Sequence, residues 1–161
     1  MAELLWCAFA WIVSRRGVTD YLVKRAQRTP YVDIRSADGT DTYMRRWWLF
    51  NPYHDTPGLR RFGWCPISIR VHQILRADQD RHLHDHPWNA RSVILAGGYR
   101  EIRADGRILC REPGDTLSLR HGEFHRIASV DPQTGATTLF ITGRYRGVWG
   151  FKIPYQEYLE K

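Results

Sequence analysis

The stretch His82-Leu83-His84-Asp85-His86, in the middle of the chain, places three histidines at every second position. In a β-strand successive side chains point to opposite faces, and residues two apart are separated by about 6.6 Å. The three imidazoles are therefore expected to project from one face of an extended segment. Neutral imidazole is a common protein ligand of zinc, iron, nickel and copper, so this spacing predicts a metal site.

A metal site needs three or four donors from at least two chain segments, and a second histidine-bearing segment follows later. Between Glu112 and Arg126 the sequence contains a Pro-Gly-Asp turn, a short strand candidate, a second turn at Gly122 and then His125. A single histidine is usually a surface or a packed core residue. The triple alternation followed by a second histidine-bearing turn favours a shared site over that simpler interpretation.

The two segments resemble the paired motifs of the cupin superfamily, Gly-x5-His-x-His-x3,4-Glu-x6-Gly and Gly-x5-Pro-x-Gly-x2-His-x3-Asn. A longer pattern is also similar to small single-domain cupins of bacteria and their phages: Arg45-Arg46-Trp47 early, His84-Asp85-His86-Pro87-Trp88 in the middle and Trp149-Gly150-Phe151 late. The resemblance covers roughly residues 67–143 and implies an all-β, double-stranded β-helix, a jelly-roll barrel that encloses the metal. The matching positions are His84, His86, Gly97 or Gly98, Gly114, Gly122 and His125.

The chain departs from the cupin pattern at several positions. Asp78 replaces the leading glycine, which is a minor change, and Arg120 replaces the proline of the second motif. The glutamate ligand position falls on Ala90 or Arg91, and neither side chain binds a metal. The resemblance therefore implies a three-histidine site whose fourth donor is missing or comes from elsewhere. The implied ligands are His84, His86 and His125, with Glu101 or else His82 as the fourth.

Length and pattern indicate one domain with a helical N-terminus. The 161 residues, 43% of them hydrophobic, suffice for a single core. Residues 1–30 predict two helices, the second capped by Thr19 or Asp20, and we expect this segment to pack on the barrel or on a partner subunit. Residues 31–161 predict about eight to ten short strands separated by turns, as in a sandwich or barrel.

Charge and cysteine content restrict the partners and the compartment. The formal net charge is +7, but the basic residues form no block, so we do not expect nucleic-acid binding. Three cysteines without a CxxC pair favour reduced thiols in the cytoplasm. The apolar run at 4–13 is shorter than the roughly 20 residues that span a membrane, and arginines follow it, so we expect no membrane association. This run offers an apolar surface for a homodimer.

Several other side chains are candidates for substrate contacts. Arg70 and His72 alternate with apolar residues, so they line the barrel or face solvent depending on which face of their strand is inward. Arg91 is a further candidate for binding a substrate carboxylate or phosphate. Tyr99 and Glu101 share a face of a later strand and are candidate catalytic acid–base groups.

Three functional interpretations follow from this pattern. Three neutral imidazoles leave a divalent metal (Fe, Mn, Ni or Zn) with its full charge, which favours an anionic small-molecule ligand or substrate. The first interpretation is a metal-dependent enzyme, with dioxygenase chemistry slightly ahead of isomerase or lyase chemistry. The second is a non-catalytic metal or small-ligand binding domain with a regulatory role. The third is an interaction or nucleic-acid-associated protein in which the histidines are structural.

Overall fold

A computed structural model describes residues 1–36, 39–54, 56, 58–78 and 82–153. The sequence from Tyr155 to Lys161 also predicts a short terminal helix, and this segment lies outside the described residues. Two helices come first, α1 (Ala2–Val13) and α2 (Arg16–Ala26). The strands that follow are β1 (Ile34–Arg35), β2 (Thr42–Phe50), β3 (Ser68–Ile74), β4 (Leu83–His84), β5 (Ala90–Gly97), β6 (Tyr99–Arg103), β7 (Ile108–Arg111), β8 (Thr116–Leu119), β9 (His125–Val130), β10 (Ala136–Thr142) and β11 (Phe151–Lys152).

The strands form two antiparallel sheets. One has six strands in the order β1-β2-β3-β10-β5-β8, and the other has five in the order β11-β4-β9-β6-β7. Neighbours that are distant in sequence, such as β3 and β10, run antiparallel side by side, as the jelly-roll topology requires. The predicted fold class, an all-β jelly-roll barrel with an N-terminal helical segment, is confirmed.

The central strands β3, β5 and β10 of the six-stranded sheet are largely buried on both faces. Alternation along each strand sends one set of side chains outward to the helices and the other inward to the barrel. Both helices contribute to the outer cluster. Its buried members are Ala10, Val13, Ala26, Val71, Val93, Leu95 and Leu139. The inner cluster lies between the sheets, and its larger members are Ile74, Ile94, Tyr99, Leu117, Leu119, Ile127 and Phe140.

The second helix begins earlier than the sequence pattern predicts. It starts at Arg16, so Thr19 lies in its first turn and is buried. The Thr19 hydroxyl donates to the Val13 carbonyl at 2.9 Å and lies 3.4 Å from the Leu95 carbonyl. The predicted cap at Thr19 or Asp20 is therefore wrong, because the hydroxyl connects the helix to the end of α1 and to β5.

Helix α1 is only partly covered by the domain. It buries Ala10 and Val13 against the sheet, whereas Leu4, Leu5 and Trp11 are 74%, 68% and 60% exposed. Within the described residues, neither helix is long and apolar enough to cross a membrane.

Two glycines permit a close backbone approach at the end of β5. Gly97 and Gly135 have positive φ angles of 66° and 65°. A Cβ atom on Gly97 would lie 2.0 Å from the Gly135 carbonyl oxygen, and one on Gly135 would lie 2.3 Å from the Ile74 carbonyl oxygen. The glycine at the end of the first cupin motif is thus required by sterics and by backbone conformation.

Candidate metal site

Strand pairing brings the two histidine-bearing segments together. In the five-stranded sheet, His84 of β4 pairs directly with His125 of β9 and, on its other side, with Phe151 of β11. His86 follows β4 after one intervening residue. His84 and His86 therefore approach from one segment and His125 approaches from the neighbouring strand.

The three imidazoles form a compact group. The ligand atoms of His84, His86 and His125 all lie within 4.8 Å of one another. The Nε2 atoms of His86 and His125 are 2.9 Å apart. Two nitrogens that are each about 2.0–2.1 Å from one ion have a separation of this order. The donor set and its spacing therefore fit a transition metal.

The charge state of His86 also suits a metal ligand. Burial lowers the pKa of His86 well below its ordinary value, and the neighbouring His125 and His84 lower the pKa further. A neutral imidazole carries the lone pair that ligation requires, whereas a protonated one repels a cation.

A buried carboxylate lies behind His125. Glu101 of β6 is fully buried, and its Oε2 lies 3.4 Å from His125 Nδ1. Its Oε1 accepts hydrogen bonds from Arg103 Nε at 3.1 Å and from Arg111 Nε at 2.9 Å. Burial alone would raise the pKa of Glu101, but hydrogen bonds from His125 and Arg111 and the charge of Arg103 lower it to about 2. An ionised Glu101 favours the proton on Nδ1 of His125 and leaves the Nε2 lone pair to face the other histidines.

A second carboxylate lies next to His84. Asp78 Oδ2 is 3.8 Å from His84 Nδ1 and accepts a hydrogen bond of 2.7 Å from the Ile127 amide. The Tyr43 hydroxyl donates to the other oxygen of Asp78. Burial and the adjacent Asp78 carboxylate raise the pKa of Tyr43, so its phenol keeps its proton. The departure from glycine at position 78 therefore places a carboxylate beside a candidate ligand.

Asp85 stabilises the loop between His84 and His86. Its side chain is buried, and its two oxygens accept hydrogen bonds from the Gly150 amide at 2.8 Å and the Gly122 amide at 3.1 Å. These bonds connect the first histidine segment to the turn that precedes His125 and to Gly150, the residue directly before β11.

The histidine group opens into a cavity of about 530 Å³ between the two sheets. The opposite side of this cavity is the inner face of the six-stranded sheet, where Arg46 of β2 and His72 of β3 are direct cross-strand neighbours. Arg70 of β3 lies two residues from His72 on the same face. We call Arg46, Arg70 and His72 the arginine wall. Of the two possible orientations of their strand, Arg70 and His72 therefore have the one in which they line the cavity.

The guanidinium group of Arg70 is enclosed by aromatic rings. Arg70 is 2% exposed, and its Cζ lies 4.4 Å from the ring centroid of Trp48, 4.7 Å from Trp88, 5.1 Å from Tyr53 and 5.3 Å from Tyr31. Its Nε and Nη2 atoms have no hydrogen-bond partner within the part of the chain that the structure describes. Burial lowers the pKa of Arg70 to about 10, which leaves the group charged at neutral pH.

The structure does not place Arg91 in the cavity. Arg91 lies on the outer face of β5, where its Nη1 donates to Glu3 Oε1 at 2.9 Å and its Nε donates to Thr116 Oγ1 at 3.0 Å. Its guanidinium lies 5.0 Å from the Trp6 ring. The prediction of Arg91 as a substrate contact is wrong, because neighbouring residues of a strand point to opposite faces and Ser92 is the one that lines the cavity.

The two candidates for a fourth ligand are not members of the imidazole group. In the described part of the chain that group consists of His84, His86 and His125, without Glu101 or His82. The oxygens of Glu101 are directed to His125 and two arginines, so this carboxylate can orient the His125 ring.

Tyr99 lines the cavity, but its environment keeps its hydroxyl protonated. Burial raises the pKa of Tyr99, and the negative charge of Glu101 raises it further. At neutral pH Tyr99 is therefore a hydrogen-bond donor, and Glu101, with its low pKa, is an anion. Neither has the properties of a general base or acid that titrates near neutral pH.

Sequence reasoning missed three residues of the site. Arg46, Tyr43 and Asp78 all line the cavity. Alternation in β2 indicates that Arg46 and Trp48 share a face, but the letters do not show that this face is the inner one. For Asp78, the signal was its position at the start of the first cupin motif.

The structure resembles solved cupin structures. DMSP lyase DddQ from Ruegeria pomeroyi has a TM-score of 0.58 at 15% identity, with 86% of this chain and 68% of that chain covered. A cupin-2 domain protein from Rhodospirillum rubrum has a TM-score of 0.56 at 13% identity, with 80% and 78% covered. The polyketide cyclase RemF from Streptomyces resistomycificus has a TM-score of 0.54 at 19% identity, with 74% and 80% covered.

These similarities show the fold alone, because the identities are low. No protein-family model and no curated protein matches the sequence. The chain therefore has the cupin fold, and the chemistry of its site must be argued from its own residues.

Proposed function

We propose that this protein is a metal-dependent enzyme that acts on a small anionic organic molecule. In this proposal His84, His86 and His125 hold a divalent ion of iron, manganese, nickel or zinc. The observation that carries the proposal is the convergence of three imidazoles, with ligand atoms within 4.8 Å of one another, on a cavity lined by arginines on its opposite side.

Each part of the site has a defined task in this proposal. When bound, the ion would supply Lewis-acid polarisation of a substrate oxygen or, for a redox-active metal, a position for dioxygen. Glu101 and Asp78 orient the rings of His125 and His84 from behind. Tyr99, which lines the cavity as a protonated phenol, can donate a hydrogen bond to a substrate oxygen.

Among reaction classes, we place lyase or isomerase chemistry first and dioxygenation second. Two solved structures with the same fold are a lyase and a cyclase by name, which supports reactions without an external oxidant. The protonated phenol of Tyr99 also suits hydrogen-bond donation to a substrate oxygen on which negative charge develops.

The test begins with metal analysis of untagged protein. We expect about one equivalent of a divalent transition metal per chain in the wild type and in His54→Ala, whose exposed side chain lies outside the cavity, but little in His86→Ala. The loaded protein would then be incubated with a panel of small carboxylates, with product formation and dioxygen uptake recorded separately. Metal content that is equally low in the wild type and in His86→Ala would contradict the proposal.

The second candidate is a binding protein without catalysis. The sequence suggested Glu101 and Tyr99 as acid–base catalysts, but Glu101 is held as an anion and Tyr99 as a neutral phenol. Because neither group exchanges a proton readily near neutral pH, their protonation states favour this second candidate. This candidate predicts one equivalent of metal and saturable ligand binding, with no turnover of any panel member.

A further inference from the structure

We propose that the arginine wall is a carboxylate subsite, which holds the acid group of the substrate opposite the histidines. This inference rests on the proposed function and adds to it the class of substrate and the residue that recognises it. The ligand is a small carboxylic acid with an apolar body, and Arg46 is its main contact.

Arg46 has terminal nitrogens that can bind a carboxylate. Its Nε donates to the Val32 carbonyl at 3.1 Å, which fixes the base of the guanidinium. The structure shows no acceptor for its two terminal nitrogens among the described residues, and Arg46 lines the cavity. Two parallel N–H groups of a guanidinium match the two oxygens of a carboxylate.

Arg70 adds a second positive charge near Arg46. The Tyr31 ring is close to both guanidinium groups, with its centroid 4.7 Å from Arg46 Cζ and 5.3 Å from Arg70 Cζ. Aromatic faces stabilise the charge of Arg70, but its Nε and Nη2 lack an acceptor, and no ion pair of Arg70 occurs within the described chain. Arg70 is thus a desolvated cation without a counterion in the described chain, and Asp33, the carboxylate whose charge acts on Arg46, is not among the residues that line the cavity. This arrangement favours the entry of an anion.

The charges lining the cavity point in the same direction. The acidic side chains among the lining residues are Asp78 and Asp85, and both accept hydrogen bonds from protein donors. The arginines that line the cavity are Arg35, Arg46, Arg70 and Arg76. The cavity is therefore cationic before any metal is considered.

The space between the wall and the histidines is aromatic. The Trp88 ring lies 4.7 Å from Arg70 Cζ, and its centroid lies 6.4 Å from that of His86. The Phe140 ring is 5.5 Å from the His86 ring and 4.9 Å from the His72 ring. Trp88 and Phe140 each contact a residue of the arginine wall on one side and His86 on the other. A ligand with a short apolar body that packs along these rings can therefore connect an acid group at the wall to the candidate metal ligands.

A carboxylate fits this wall better than a phosphate does. A planar guanidinium fork satisfies both oxygens of a carboxylate, whereas a phosphate presents three strong acceptor oxygens and a second negative charge. The rings around Arg70 supply two unpaired donors, the Tyr53 hydroxyl and Trp88 Nε1, and neither carries a positive charge that would offset the second negative charge of a phosphate.

The test is calorimetric binding of phenylacetate to the metal-loaded protein, with phenylacetamide as the uncharged analogue and inorganic phosphate as the competing anion. We expect phenylacetate to bind at least about tenfold more tightly than either of the other two. Arg46→Gln should weaken phenylacetate binding by about 10- to 100-fold and keep one equivalent of metal. Arg45→Gln is the matched control, because Arg45 is the exposed neighbour on the opposite face of β2 and should leave binding unchanged.

A metal-free comparison separates this inference from the proposed function. In His125→Ala the phenylacetate affinity that depends on Arg46 should persist, because the wall lies on the other sheet. Arg46→Lys keeps the positive charge but loses the two parallel N–H donors of the guanidinium, so it should give an intermediate affinity for phenylacetate. This variant replaces Arg46→Gln in the test if the glutamine variant does not fold.

Four results would overturn the carboxylate subsite. They are absence of saturable phenylacetate binding, equal affinity for the amide, tighter binding of phosphate, and unchanged affinity in Arg46→Gln. If the histidines bind no metal but Arg46 still controls phenylacetate affinity, the subsite stands and the proposed metal-dependent function fails.

Discussion

The two faces of the six-stranded sheet differ in chemistry, although the same strands build both. The outer face is aliphatic, with Val71, Val93 and Leu95 packed under the two helices. The inner face carries Arg70 and, beside it on the neighbouring strand, Arg46, and it faces a cavity. The usual arrangement, with apolar residues enclosed by a barrel and polar ones outside it, is thus inverted over part of this sheet.

This difference indicates that the side chains that stabilise the fold and those that recognise a ligand lie on opposite faces of one sheet. Side chains on the outer face lose contact with water in the folded state and gain close packing, which is the main favourable term in folding. On the inner face Arg70 is desolvated and has no carboxylate partner within the described residues, which opposes folding and favours an anionic ligand. Substitutions on the two faces should therefore affect different measurements.

The largest effect on folding is expected on the outer face. Leu95→Ala removes a side chain that is 2% exposed and leaves a cavity beneath α1 and α2. We expect the free energy of unfolding to fall by about 2–5 kcal/mol, measured by urea denaturation. Leu4→Ala, at a position that is 74% exposed, is the control and should change little. Equal effects of the two substitutions would contradict the packing of the helices on the sheet.

The next effect concerns metal binding on the side of the cavity opposite the arginine wall. His125→Ala removes one of three candidate ligands and should lower the affinity for zinc by at least about 100-fold, since even changes behind a ligand cost about 10- to 100-fold. Competition with a chromophoric chelator measures this affinity. His121→Ala, at an exposed turn position, should retain wild-type affinity, and a comparable loss there would argue against the assigned ligand set.

A smaller loss of metal affinity is expected behind the ligand. Glu101→Gln keeps the size of the side chain but weakens the acceptor next to His125 Nδ1, so zinc affinity should fall by about 10- to 100-fold. The same chelator competition applies, with the exposed Glu112→Gln as control. Complete loss of binding in Glu101→Gln, as in a ligand deletion, would instead indicate that Glu101 binds the metal directly.

The smallest change in stability is expected on the inner face. Burial lowers the pKa of Arg70 to about 10, which means that the charged form opposes folding at neutral pH. Arg70→Met removes both this cost and the favourable contacts of the guanidinium with the rings, so the free energy of unfolding should stay within about 1 kcal/mol of wild type. A loss of more than about 2 kcal/mol, judged against the exposed Arg100→Met, would show that Arg70 supports the fold.

Much of the histidine site was predictable because its signals are local. The two-residue spacing of His84 and His86 fixes their common face, and the turn at Gly122 before His125 matches the second cupin motif. The pairing of His84 with His125 depends on the sheet order that the cupin resemblance implied.

The side of each strand that faces the cavity was not predictable from the letters. Arg91 and Arg70 are both arginines on buried strands, but one faces α1 and the other faces the cavity. The helices cover the outer face, so every residue from Ala90 to Ile94 is buried. The usual alternation of exposed polar and buried apolar residues, which shows the inner face of a strand, is therefore absent from this segment. The role of Arg46 depended on this same missing information.

The most direct test of the three-histidine metal centre is anomalous diffraction from a crystal of the metal-loaded protein, recorded at the absorption edges of iron, manganese, nickel and zinc. We expect one ion between the two sheets, with nitrogens of His84, His86 and His125 about 2.0–2.3 Å away and Glu101 behind His125. An ion bound through other residues, or a crystal soaked with all four metals that shows no anomalous peak at the three histidines, would contradict it.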